Sequence, residues 1–379
     1  MSRMYHELPV DAYTSWEWYQ REQDRIFSRV WRYAGFAEDI SEPGQYISVQ
    51  AGANNILIVM GRDHRLRAFH NICRHRGTQL LRATGKAQRA VTCPYHDWTY
   101  DLEGCLIAVP NAEREYPSGI DKSQLGLKAA SVDIWRGMLF VHPDPPERSP
   151  SLAEWFGAVD PHLGPVQPAE LTEIPAQRTS MEVKANWKIL VENYVDVYHL
   201  SHLHSATLDM YDHAKAEYGW HGSHYAFWEP LVAMDGDRHD NGGRGGSGDH
   251  GAWVPMLFPG IGFATSDSEW STYIITPLAP DLTRVESRTK RVSKSTWNSL
   301  WSEWPSTRGR PEGQKAKVGK KEAEGRDDPL ASGNFIAEDN YVCEQQQKSM
   351  TSPFFEVGPA AQGESPVVNH QRVVLSFLK

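Results

Sequence analysis

Two short stretches of the chain each pair a cysteine with a histidine. "NICRHRGTQLL" holds Cys73 and His75 in a Cys-x-His spacing, and "VTCPYHDWTYDLEG" holds Cys93 and His96 in a Cys-x-x-His spacing. Seventeen residues separate the two pairs. Two thiolates and two imidazoles can hold a tetrahedral zinc ion. They can also hold two sulfide-bridged irons, with the cysteines on one iron and the histidines on the other. A third stretch, "VENYVDVYHLSHLH", gathers His199, His202 and His204, with Asp196 three residues before the first. In an unbroken helix turning about 100° per residue, His199 and His202 would lie about 60° apart, and His204 about 140° from His199. Periodicity alone therefore pairs His199 with His202.

The order of the ligands separates zinc from the cluster. A zinc finger commonly sets its two cysteines together and its two histidines together. Here each loop carries one of each, so each can give one ligand to each iron of a Rieske-type [2Fe-2S] cluster. Histidines in place of two anionic thiolates raise the reduction potential above that of an all-cysteine cluster. "CRHRG" and "CPYHDWTYDLEG" resemble the two cluster loops of the Rieske-type non-haem iron oxygenases, specifically the large catalytic (alpha) subunits of the aromatic-ring-hydroxylating family. The resemblance runs from about residue 20 to the end of the chain. One departure is Asp97, where the family commonly has glycine. An acidic group there is expected to lower the cluster potential or change the loop surface, without removing a ligand.

The resemblance chooses differently among the three histidines. "ENYVDVYHLSHLH" is similar to the family's iron-binding motif, which matches Asn193, Asp196, His199 and His204 here. It implies that the helix loosens or ends after His199, so that His204 swings back and His202 stays beside the site or on the surface. It places the third ligand in "FIAEDNYVCEQQQ", where Glu338 and Asp339 are neighbours and only one is expected to point inward. Position in the motif selects Asp339; the competing reading is a solvated helix N-terminus. Two histidines and one carboxylate leave three positions of an Fe(II) ion open for oxygen and substrate. A carboxylate beside a metal-bound histidine fixes the ring's tautomer and orientation, a role open to Asp196. In the family this aspartate also bridges to a cluster histidine of the neighbouring subunit, which corresponds to His96. Asn193 is expected to support the site from just outside the ligand set.

These side chains need elements to carry them. Residues 14–34 read as a helix, with a capping box from Thr14 to Glu17. From Gln45 the texture becomes β-rich: "QYISV", "NILIVM" and "RLRAF", with "GRDH" as a hairpin turn. "HPDPPERSPS" is a proline-rich boundary. Then "NWKILVENYVDVYHLSHLH" reads as a helix, "STYIITPL" and "TRVESRTKRV" as strands, and "VVNHQRVVLSFLK" as a mixed, partly helical signal. The expected class is α+β. Residues 1–40 form an N-terminal helical segment packing with the catalytic domain, and 41–150 an all-β Rieske [2Fe-2S] domain. Residues 151–379 form a mononuclear-iron catalytic domain of the helix-grip kind, an antiparallel sheet with helices on it. The glycine-rich 235–251 and the charged 305–329 are expected to be surface loops, the first alternatively a lid.

Composition narrows the partners. The 39 basic and 48 acidic residues give a formal charge of −9, without a basic stripe for nucleic acid. No apolar run suits a membrane span, and "MSRMYHELPV" lacks a signal-peptide layout, so the expected location is cytoplasmic. Four cysteines do not make a disulfide scaffold; Cys105 and Cys343 are expected to be buried structural thiols. No Gly-x-Gly-x-x-Gly opens a βαβ unit, so electrons are expected from NADH or NADPH through a separate reductase, with or without a ferredoxin. The resemblance implies a terminal oxygenase that uses O2 to hydroxylate an organic substrate, as a homotrimer with or without a small beta subunit. An aromatic substrate is the first reading, by cis-dihydroxylation or monohydroxylation. Monooxygenation or N-demethylation of a quaternary or methylated amine is the second, for which some of the 14 tryptophans could surround the cation. A non-catalytic electron-transfer or zinc-binding module is the reading from another class.

Overall fold

The computed structural model describes residues 4–232, 251–292 and 328–379. The expected loops at 235–251 and 305–329 fall outside the described residues, apart from Gly251, Asp328 and Pro329. The chain divides into two compact units, Gln20–Phe156 and Met1–Tyr19 with Gly157–Lys379. The expected N-terminal segment 1–40 is thus shared between them.

That segment is helical for only part of its predicted length. Helix α1 (Asp11–Thr14) is followed by α2 (Trp16–Glu22), which runs into a π-helical turn ending at Phe27. Thr14 is not the cap. Its hydroxyl donates back to the Val10 carbonyl, and Ser15 Oγ accepts from Trp18 N at 3.1 Å instead. Residues 32–36, predicted to end or follow the helix, form strand β1 (Arg32–Phe36), because their backbone pairs with a strand more than a hundred residues away. Local apolar spacing carries no trace of such a partner.

The unit Gln20–Phe156 continues with β2 (Gln45–Ala51), β3 (Asn54–Met60), β4 (Leu66–His70), β5 (Thr84–Lys86), β6 (Ala90–Thr92), β7 (Thr99–Asp101), β8 (Leu106–Ala108), β9 (Ala129–Trp135) and β10 (Met138–His142), with short helices α3 (Ala112–Glu115) and α4 (Leu152–Phe156). Seven strands form an antiparallel sheet in the order β1-β10-β9-β4-β3-β2-β5; β6, β7 and β8 form a small second sheet. After Asn55 the run "ILIVM", residues 56–60, is apolar throughout because β3 is covered on both faces there. Ile56, Ile58 and Met60 join one core with Ile47 and Leu139, whereas Leu57 and Val59 join another with Cys73, Cys93, Trp98 and Tyr100. The second core is the floor under the two Cys-His loops.

The other unit holds an antiparallel ten-stranded sheet: β11 (Thr172–Glu173), β12 (Thr179–Val183), β13 (Glu217–His221), β14 (His224–Pro230), β15 (Gly251–Trp253), β16 (Met256–Leu257), β17 (Ile261–Thr265), β18 (Glu269–Ala279), β19 (Leu282–Ser287) and β20 (Thr289–Arg291). Helices α5 (Trp187–Val195), α6 (Leu200–Leu203), α7 (Phe335–Ser349) and α8 (Ser365–Leu378) complete it, and α5 packs on α7, α8 and β18. Helix α5 is buried nearly all round, including Lys188 and Glu192. Asn186 caps it by accepting from Lys188 N at 3.0 Å, while its amide donates to the Pro280 and Tyr13 carbonyls. Tyr13 OH donates to Glu192 at 2.7 Å, tying α1 to α5. The architecture is α+β, and none of the described helices is long and apolar enough to cross a membrane.

The edge of this sheet is held by charge. Glu173 on β11 accepts from Arg288 Nη2 at 2.6 Å and Arg178 Nη2 at 2.9 Å. Its hydrogen bonds to Arg288 outweigh the opposing effect of burial and hold its pKa down at about 2. A depressed carboxylate stabilises the fold above its unfolded pKa near 4.5, and that contribution disappears as pH falls towards 2. Glu173→Gln is therefore expected to lose roughly 1–2 kcal/mol near neutral pH and almost nothing near pH 2. Denaturant titrations of both proteins across that range measure the difference.

Candidate metal centres

The two Cys-His loops are built alike. Cys73 N donates to Thr78 O at 2.8 Å and Gly77 N to Cys73 O at 3.0 Å; Cys93 N donates to Trp98 O at 2.8 Å and Asp97 N to Cys93 O at 3.1 Å. Each loop thus folds around its own cysteine. Each also needs a left-handed residue four positions on, Gly77 at φ +76° and Asp97 at φ +55°. Aspartate tolerates that region better than most residues. The departure from glycine at 97 is therefore compatible with the loop, and its carboxylate stands on the exposed rim.

The thiols are buried, Cys73 at 3% and Cys93 at 2% exposure, whereas His96 is exposed and His75 half-buried. The His75 and His96 rings approach to 4.7 Å between centroids, and His75 stacks on Trp98 at 4.9 Å. His75 Nδ1 is buried without a hydrogen-bond partner. Two buried thiols, two imidazoles in contact and an orphaned ring nitrogen fit a [2Fe-2S] group. Desolvation pushes the Cys93 pKa up, and it pulls that of His75 down, with His96 and Arg76 adding to the effect. A low His75 pKa keeps the imidazole neutral and ready to ligate.

Tyr100 was not singled out by sequence. Its hydroxyl accepts from Arg74 N at 2.9 Å and lies 3.4 Å from Cys73 Sγ. With Cys73 as a thiolate ligand, which has no proton to give, the Tyr100 hydroxyl would be the donor to the sulfur. Burial raises the Tyr100 pKa far above the usual tyrosine range, so that proton stays on. Hydrogen bonds to cluster sulfurs raise the potential. Tyr100→Phe should therefore lower the cluster potential by on the order of 50 mV, the one-electron equivalent of one modest hydrogen bond. A spectroelectrochemical titration measures this shift.

The histidine stretch corrects the periodicity argument. Helix α5 ends at Val195, earlier than predicted, and Asp196 is extended at φ −73°, ψ +120°. His199 then caps the single turn α6, and His204 follows it. His202 is exposed, with Nδ1 near Tyr198 O and Ser201 Oγ. His199, His204 and Asp339 instead come together, each offering a ligand atom within 4.8 Å of the others. Asp339 Oδ1 lies 2.9 Å from His204 Nε2 and 3.7 Å from His199 Nε2.

Each of the three has a supporting neighbour. Asp196 Oδ2 is 3.1 Å from His199 Nδ1, and Asn193 Nδ2 donates to Asp339 Oδ1 at 3.2 Å. Glu338 Oε2 is 2.7 Å from His204 Nδ1 and accepts from Thr207 Oγ1 at 2.8 Å. Glu338 and Asp339 therefore both face inward, contrary to the expectation that only one could. They do so because they grip opposite nitrogens of the same buried ring. Burial alone would lower the His204 pKa, but the Asp339 and Glu338 carboxylates outweigh it and raise it to about 9. Two Nε2 atoms facing one carboxylate, with both Nδ1 atoms held by others, fit a mononuclear iron. Cys343 is buried beneath this site on α7, whereas Cys105 is exposed, not buried as expected.

An all-β unit with two Cys-His loops, and a sheet-and-helix unit with two histidines and a carboxylate, define a Rieske-type non-haem iron protein. Residues 172–379 match the family model of the ring hydroxylating alpha subunit (catalytic domain), and residues 30–128 that of the Rieske [2Fe-2S] domain; the chain belongs to this family. Its cofactors are accordingly the [2Fe-2S] cluster and a non-haem iron. Among relatives, the carnitine monooxygenase oxygenase subunit of Acinetobacter baumannii is 32% identical over 222 residues, 57% of either chain. The naphthalene 1,2-dioxygenase large oxygenase component of Pseudomonas aeruginosa is 32% identical over 195 residues, 51% of this chain and 43% of that one. The chain thus spans about half the length of the curated relatives it matches. The crystal structure of a quaternary ammonium Rieske monooxygenase shares the fold, with a TM-score of 0.76 and 21% identity, covering 100% of this chain and 96% of that one.

Proposed function

We propose that this chain is the terminal oxygenase component of a multi-protein system that inserts oxygen from O2 into an organic substrate. The observation that carries the proposal is the coexistence, in one chain, of a one-electron cluster site and a three-ligand iron site. Residues 41–150 would hold the cluster through Cys73, His75, Cys93 and His96, and 151–379 the iron through His199, His204 and Asp339. When bound, the cluster would supply electrons and the iron a site for oxygen activation. The side chains orient the ligands: Asp196 and Glu338 engage the Nδ1 atoms of His199 and His204, which turns both Nε2 atoms towards Asp339. NADH or NADPH would feed electrons through a separate reductase, in the cytoplasm. The assembly would be a homotrimer in which Asp196 reaches His96 of the neighbouring subunit.

For the substrate, a quaternary or methylated amine is favoured, because relatives named for carnitine and glycine betaine match at 29–34% identity. An aromatic compound is the second reading, supported by the naphthalene dioxygenase relative. The purified protein should contain about three irons per chain, two in the cluster and one mononuclear. His199→Ala should keep the brown cluster absorption and lose substrate oxidation. Assays with NADH, a reductase, and panels of methylated amines and aromatic acids, read by product mass, test the substrate class. A colourless, zinc-containing protein would end the proposal.

A further inference from the structure

Behind the first cluster loop the Rieske unit contains a cavity of ≈ 570 Å³ whose wall includes Cys73, with Ile72, Arg74, Lys128, Glu147 and Arg148 around it. That volume lies within the range of small-ligand pockets, roughly 300–1,000 Å³. Three cations face one carboxylate. Neither Arg74 nor Lys128 has an ion-pair partner among the described residues, and Arg148 has only Asp144 at 3.9 Å. Like charges clustered on one wall repel each other. The wall is therefore short of negative oxygen atoms.

We propose that this cavity binds a small organic oxyanion, a carboxylate or phosphate on a short carbon body, and that its occupancy tunes the adjoining cluster. Arg74, Lys128 and Arg148 would meet the charged oxygens, with Ile72 and Pro145 against the carbon body. Uncompensated cations beside a cysteine ligand favour the reduced, more negative cluster; an anion that neutralises them favours the oxidised one. By linkage, tenfold tighter binding to the oxidised form lowers a one-electron potential by 59 mV at saturation. The binding step stands without the metal assignment. The tuning step rests on the proposed cluster.

The test titrates the full chain with citrate, and separately with inorganic phosphate, by calorimetry against sodium chloride of matched ionic strength. Saturable citrate binding is expected, weakened at least tenfold in the Lys128→Gln/Arg148→Gln double variant and strengthened in Glu147→Gln. All three side chains are exposed, so folding is not at stake. Phosphate binding as tight as citrate would assign the site to the oxyanion alone. No saturable heat with either probe, or equal binding by the double variant, overturns the site. Binding with a cluster potential that does not fall overturns the tuning. A chain that binds citrate but carries no iron keeps the site and loses the oxygenase reading.

Discussion

Truncating Glu338 to alanine is expected to weaken ferrous-iron binding by roughly 10–100-fold, the usual loss when a carboxylate behind a metal-bound histidine is removed. The cause is visible in the hydrogen bonds. Glu338 Oε2 receives both His204 Nδ1, at 2.7 Å, and Thr207 Oγ1, at 2.8 Å. Glu338 engages Nδ1, so Nε2 is the nitrogen turned towards Asp339 Oδ1, 2.9 Å away, and the one that would ligate a metal there. Without the carboxylate, a ring that is 1% exposed loses its orientation and its tautomer preference. Glu338→Gln should recover much of the loss, because one amide oxygen can accept from both donors where Oε2 did. Chelator competition for Fe(II) gives the affinity, and the visible spectrum reports the cluster separately. Iron affinity equal to wild type in the alanine variant would show that Glu338 does not position His204.

The two metal sites were unequally legible in sequence, for a physical reason. Each candidate cluster loop keeps its cysteine and histidine within a few residues and folds around its own cysteine, so spacing itself carried the chemistry. The candidate iron ligands do not all share a loop: His204 and Asp339 are 135 residues apart. No spacing rule joins them, and only the family resemblance proposed the set. Periodicity went astray at His202 because it assumed a helix that Asp196 interrupts. Asp196 Oδ1 accepts from Tyr198 N at 2.7 Å, an Asx turn that competes with the helical bond. An aspartate between Val195 and Val197 was a readable sign of that break. The partnership of Glu338 with Thr207, and of Tyr100 with Cys73, left no such local mark. Strand β1 was missed for the same reason as the iron ligands: its partner is distant in sequence.

Asp196→Asn is expected to reduce turnover on the order of 100-fold, about 2.7 kcal/mol of barrier. The argument is again one of tautomers. Tyr198 N–H anchors one carboxylate oxygen, so in the variant the amide oxygen takes that place and the NH2 group faces His199 Nδ1. That nitrogen must then accept, which moves the ring proton to Nε2, the atom 3.7 Å from Asp339 and on the metal side. Iron binding at His199 should weaken accordingly. The family resemblance adds a second role for the same carboxylate, as an electron bridge to the neighbouring subunit's cluster, and the two roles separate experimentally. Stopped-flow mixing of reduced protein with substrate and oxygen follows cluster reoxidation as Fe(II) is raised to saturation. If reoxidation recovers fully once iron is restored, Asp196 acts only by holding His199. If it stays slow with the iron site full, the carboxylate is also part of the electron path. Unchanged turnover and unchanged iron content in the variant would remove both roles together.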